Sequence, residues 1–152
     1  MAFFKKVKQK VNGLWYPKSV TVGKPVTTDE VADRLSKVST VSRGDTYAVL
    51  KELGPVLGDY MAQGRTVKLD GVGTFYYTSN AAKNGVETSD KVDATLITGV
   101  RVRFIPETRR TSSGRVQSRS MVSDNIFWME LPEGVKENPE PGGGEEERPG
   151  EL

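Results

Sequence analysis

Residues 65–85 read RTVKLDGVGTFYYTSNAAKNG. A Gly-x-Gly, Gly71 to Gly73, follows a short apolar run. Two readings compete: a phosphate-cradling loop or a corner in β-structure. A dinucleotide fingerprint needs Gly-x-Gly-x-x-Gly opening a helix, and a P-loop ends in Gly-Lys-Ser/Thr. Here Tyr76 stands where the third glycine belongs, and the following residues, GTFYYT, are β-formers. TVKL reads as the incoming strand and Asp70-Gly71 as a hairpin turn. The glycines are therefore predicted to turn a corner.

The neighbouring segments fit that corner. Upstream, Thr27 and Glu30 are spaced as a capping box, with Val31, Leu35 and Val38 on one helical face. Ser42 and Asp45 make a weaker box before a second helix. Its wide apolar stripe includes Val49, Leu53, Val56 and Tyr60, and it is expected to kink at Gly54-Pro55 and end at Gly64. Such a stripe suits a dimer interface or ordinary packing under a sheet. Downstream, GVRVRFIP alternates, with Val100, Val102 and either Phe104 or Ile105 toward a core and Arg101 and Arg103 outward. The polar stretch between the strands is an extended arm or a local loop with a short helix around residues 88–95.

At the N-terminus, KKVKQKV and LWYPKSVTV flank Asn12-Gly13, a two-residue hairpin signal, and Pro17 places the second strand at an edge. Lys6, Lys8 and Lys10 share one face, suited to phosphate or to guarding a sheet edge. At the other end, residues 133–152 hold seven Glu against Lys136 and Arg148, a net −5 that leaves +7 on the rest of a chain of formal charge +2. This Pro-, Gly- and Glu-rich stretch reads as a disordered acidic tail, and the basic remainder favours a polyanionic partner.

Composition narrows the chemistry. There is no Cys and no His, so disulfides, thiolate metal sites and the commonest general base are absent. No paired carboxylates or activated nucleophile stand out, and an enzyme is not expected. No metal, cofactor or small-molecule substrate is expected either. No apolar run approaches a membrane span, and the basic N-terminus lacks the apolar region of a signal peptide.

Together, the two capped helices, the glycine corner, the polar excursion and the Phe-x-Pro strand end resemble the bacterial histone-like HU/IHF family over residues 27 to about 108. GVGTF (Gly71 to Phe75) looks like the family's Gly-Phe-Gly-x-Phe, AAKNG (Ala81 to Gly85) like the base of its arm, and FIP (Phe104 to Pro106) like its Phe-x-Pro. The N-terminal hairpin resembles HU-like proteins of Bacteroidetes. The resemblance implies an α+β fold with two N-terminal helices and an antiparallel sheet with a β-arm. It implies an intertwined homodimer with Leu53, Val72, Phe75 and Phe104 in its core. It also implies architectural binding of double-stranded DNA in the cytoplasm, at the nucleoid, with little sequence specificity.

The departures from the family are specific. Its arm tip carries Arg-Asn-Pro, whose proline wedges between base pairs; Val86, Glu87 and Thr88 stand there instead. Beyond Pro106, Arg109, Arg110, Arg115 and Arg119 occur with no acid between Glu107 and Asp124, read as flexible phosphate-binding arginines or a solvated linker. NIFWMEL (Asn125 to Leu131) is too apolar for water and is expected to dock as a strand or short helix. The DNA-contacting candidates are Lys83, Lys91, Arg101, Arg103, Arg109, Arg110, Arg115 and Arg119. A second function class is a protein-interaction or structural module that keeps this fold without binding DNA. The domains expected are residues 1–26, 27–108, 109–132 and the tail 133–152.

Overall fold

The computed structural model describes residues 1–123 and 125–139. The chain forms two compact units, Thr27–Ser123 and Met1–Val26 with Asp124–Leu152.

The larger unit opens with helix α1 (Thr28–Val38) and helix α2 (Arg43–Ala62). The capping box is present as read. Glu30 N–H donates to Thr27 Oγ1 (3.3 Å) and Thr27 N–H donates to the Glu30 carboxylate (2.7 Å). The backbone hydrogen bond from Thr27, then the side-chain one, holds the Glu30 carboxyl below its ordinary pKa. Ser42 caps α2 by accepting from Asp45 N–H at 3.2 Å. The helix runs on through Pro55. It stops at Gly64, whose φ of 77° lets Arg65 N–H reach the Tyr60 carbonyl and Gly64 N–H the Met61 carbonyl, a Schellman ending.

A three-stranded antiparallel sheet follows: β3 (Val67–Leu69), β4 (Gly73–Ala81) and β5 (Ile97–Pro106), with β4 central. The glycines turn a corner rather than cradle a phosphate. Gly71 has φ 77° and turns the chain; Gly73 has φ 155°, and the Phe104 ring and Ile105 carbonyl occupy the space a side chain would need. The register sets Phe75 opposite Phe104, Tyr77 opposite Val102 and Ser79 opposite Val100, all on one face with Val67. The Phe75 and Phe104 rings lie 4.7 Å apart, tilted by 38°. This face turns toward α2, where the Tyr77 hydroxyl would lie 3.5 Å from a Cβ at Gly58.

The cover is partial. Val100 and Val102 remain 58% and 59% exposed, although the sequence places them toward a core. Among the described residues, only Ala32, Leu57 and Met61 are buried apolar side chains.

β3 pairs only with Gly73–Phe75, so beyond Phe75 the sheet is a two-stranded ribbon ending at Ala81 opposite Ile97. Residues 82–96 are not strand. They form a local loop with 3-10 turns at Ser89–Lys91 and Ala94–Leu96, closed by Ala82 N–H donating to the Leu96 carbonyl. Asp93 accepts from the Thr95 hydroxyl and backbone N–H. These hydrogen bonds, the hydroxyl's first, hold its carboxyl below its ordinary value. Local capping of this kind favours tight turns over a ladder.

The unit continues past residue 108, where the sequence suggested a boundary. Strands β6 (Thr108–Arg110) and β7 (Val116–Arg119) form a hairpin, so this stretch is neither a flexible array nor a linker.

In the smaller unit, β1 (Ala2–Lys8) pairs antiparallel with β2 (Trp15–Val20) and parallel with β8 (Trp128–Glu130). Pro17 lies on edge strand β2, where its missing N–H costs no ladder bond. The connection is longer than a two-residue turn. Gln9 N–H reaches the Leu14 carbonyl, and only Gly13 (φ 68°) takes the left-handed conformation while Asn12 accepts from Leu14 N–H. Residues 133–139 are not free tail. Glu137 bridges Val22 and pairs with Lys5 at 2.6 Å, and Asn138 N–H donates to the Thr21 carbonyl. The rest of the expected tail lies outside the described residues. No helix among the described residues is long and apolar enough to cross a membrane.

Candidate nucleic-acid interface

Alternation in a strand sends successive side chains to opposite faces. With Phe75, Val102 and Phe104 on the face toward α2, the opposite face of the sheet carries Lys68, Thr74, Tyr76, Thr78, Arg101, Arg103 and Ile105. Lys68 lies beside Thr74, Tyr76 opposite Arg103 and Thr78 opposite Arg101. Arg101 and Arg103 are exposed and about 7 Å apart along the strand. Lys68 was not singled out from the sequence, although the alternation of TVKL puts it opposite Val67 and Leu69. Its ammonium lies 3.6 Å from Asp70 and 3.7 Å from Glu107, which offset part of its charge.

The second cluster is the β6–β7 hairpin, where Arg109, Arg110, Arg115 and Arg119 are all exposed. Its base is tied to the glycine corner. Glu107 accepts from Gly71 N–H at 2.6 Å, and Glu107 N–H and Ser120 Oγ both donate to the Val72 carbonyl. The sequence gives no periodicity that marks Glu107 and Ser120 as anchors, because each acts through hydrogen bonds to residues far along the chain. Gly71, Glu107, Arg109, Ser118, Arg119 and Ser120 line an open depression at this base.

The remaining candidates are apart from these clusters. Lys83 and Lys91 lie in the 82–96 loop, not on strands, and Lys91 sits 4.0 Å from Glu87. Val86, Glu87 and Thr88 occupy the same loop. Of the apolar candidates, Leu53, Val72 and Phe75 are half-buried and Phe104 is 38% exposed. In the other unit, Lys6 is paired with Glu130 at 2.8 Å, and Lys8 lies 5.9 Å over the Trp15 ring.

No curated protein matches. A solved structure from Bacteroides vulgatus, titled "Putative bacterial DNA binding protein", superimposes with a TM-score of 0.44 at 14% identity, over 68% of this chain and 40% of that one. The chain thus spans less than half of that protein's length. Residues 3–119 match the family model HU-HIG, described as an HU domain fused to wHTH, Ig, or Glycine-rich motif. Since that match takes in most of the chain, with the capped helices, the glycine corner and the Phe-x-Pro strand inside it, the protein belongs to the HU-HIG family.

Proposed function

We propose that the protein is a homodimeric, HU-like architectural protein that binds double-stranded DNA through the phosphate backbone with little sequence preference. One observation carries the reading: the β3–β4–β5 sheet has two chemically distinct faces. One bears Lys68, Arg101 and Arg103 beside hydroxyl-bearing Thr78 and Tyr76. Guanidinium, ammonium and hydroxyl groups are the usual donors to phosphate oxygens. The other bears Phe75, Tyr77, Val100, Val102 and Phe104, more apolar surface than its own chain covers.

Such a small buried core cannot offset the ordering entropy of a unit this size, so a second copy is the natural cover for that face. The contacts assigned to DNA are Arg101, Arg103 and the arginines of the β6–β7 hairpin, with Lys83 and Lys91 peripheral. The site is read as the cytoplasmic nucleoid. No catalytic role is proposed.

Arg101→Ala combined with Arg103→Ala tests this reading. The double variant is expected to weaken duplex binding in fluorescence anisotropy and to lower the slope of log affinity against log salt by about two. Unchanged affinity and slope would remove this face from the interface.

A second reading, a protein-interaction module with the same fold, draws on the ribbon's loop, where Glu87, Asp90 and Asp93 outnumber Lys83 and Lys91.

A further inference from the structure

The hairpin beyond the sheet is a short finger braced by hydrogen bonds. Its strands pair Thr108 with Arg119, Arg109 with Ser118 and Arg110 with Val116, with a bulge between Arg109 and Arg110. Thr111 N–H donates to the Arg115 carbonyl and Gly114 N–H to the Thr111 carbonyl, both at 2.8 Å. Gly114, at φ 81°, closes the turn, and Arg110 donates to its carbonyl at 3.0 Å. Among the described residues, no carboxylate forms an ion pair with Arg109, Arg115 or Arg119.

Resting on the DNA-binding reading above, we propose that the β6–β7 hairpin, not the β4–β5 ribbon, is the element that enters a DNA groove, and that the groove is the major one. Two strands spaced about 4.8 Å apart, with arginine side chains on both, are too broad for a groove of about 6 Å. The major groove, about 12 Å wide, admits a two-stranded ribbon; the minor groove, about 6 Å wide, does so only when pried open. The usual device for prying it open is an apolar wedge between base steps. The finger's tip, Thr111, Ser112, Ser113 and Gly114, has none, and the β4–β5 loop has Val86, Glu87 and Thr88 where the related family carries its proline.

The four arginines divide by position. Arg110 and Arg115 flank the turn and face the phosphates that border the groove, Arg110 through the guanidinium nitrogens that do not donate to the Gly114 carbonyl. Arg109 and Arg119 line the depression at the base with Ser118 and Ser120, and seat a backbone phosphate. Glu107 also lines that depression. Its charge is partly offset, because it accepts from Gly71 N–H and lies 3.7 Å from Lys68.

The test uses the full chain and a short labelled duplex at low salt. Wild-type protein is expected to displace methyl green, a major-groove ligand, and to bind netropsin-loaded DNA, its minor groove filled, within about twofold of free DNA. Arg110→Ala with Arg115→Ala, shown folded by circular dichroism, is expected to lose about tenfold in affinity per arginine and its hold on methyl green. Netropsin blocking the wild type while methyl green stays bound would overturn the groove assignment. Wild-type affinity in the folded double variant would overturn the finger and leave the DNA reading standing. No duplex binding by the wild type would overturn both. The groove competition needs no variant, so it decides even if the substituted chain does not fold.

Discussion

Gly73→Ala is expected to destabilise the protein by roughly 3 kcal/mol or more, a large share of a typical domain's stability. Two costs combine. The backbone at φ 155° lies where L side chains are strained. The new methyl would also meet the Ile105 carbonyl oxygen and two carbons of the Phe104 ring at 2.7 and 2.9 Å. The carbonyl belongs to a strand and the ring is pinned by Phe75, so neither can give way cheaply. Gly71→Ala is the control. Its φ is also positive, at 77°, but no atom lies within 4 Å of the added Cβ. It is expected to cost about 1 kcal/mol. Urea denaturation of the two variants measures the difference directly. Equal midpoints would mean that Gly73 is chosen only for its turn, and that the close approach of Phe104 does not constrain the fold.

Phe75→Asp is expected to abolish the proposed homodimer. Phe75 sits on the apolar face of β4 in ring contact with Phe104, itself 38% exposed in a single chain. A carboxylate there would be desolvated against an apolar partner surface with no cation in its register row, which holds Val67 and Phe104. Light scattering coupled to size exclusion is expected to show a dimer for the wild type, and a monomer or an unfolded chain for the variant. A soluble, native dimer from Phe75→Asp would count heavily against this face as the interface.

Local signals were legible in the sequence, while long-range ones were not. The Thr27–Glu30 box, the Gly64 stop, the glycine corner and the strand alternation through Arg101 and Arg103 each depend on residues within a few positions of one another, and each appears as read. The β6–β7 hairpin was missed because TRR and VQSR carry no apolar alternation. Its Ser113-Gly114 turn signal stood between strands that only the Glu107 and Ser120 anchors reveal. NIFWMEL joins the sheet only through its backbone: Trp128–Glu130 pair in parallel with β1, residues more than a hundred positions away, while Phe127 and Trp128 stay 76% and 55% exposed rather than leaving water as their apolar run suggests. The ribbon's loop misled in the other direction. Resemblance suggested a β-arm, yet the ladder stops at Ala81 because the next residues favour capped turns such as Asp93 to Thr95. For the candidate site, Arg101 and Arg103 could be assigned to a face by alternation alone. Lys68 could have been found by the same rule. The basic cluster on the hairpin was visible as composition but not as a shape.

DNA binding by this protein is tested most directly by one titration. Wild-type protein is added to a short random-sequence duplex and fluorescence anisotropy is followed across a salt series. Tight binding at low salt is expected, with log affinity falling linearly against log salt at a slope of about −3 to −6, the release of counterions from several phosphates. No binding at the lowest salt would contradict it, and would mean that the fold serves a protein partner instead.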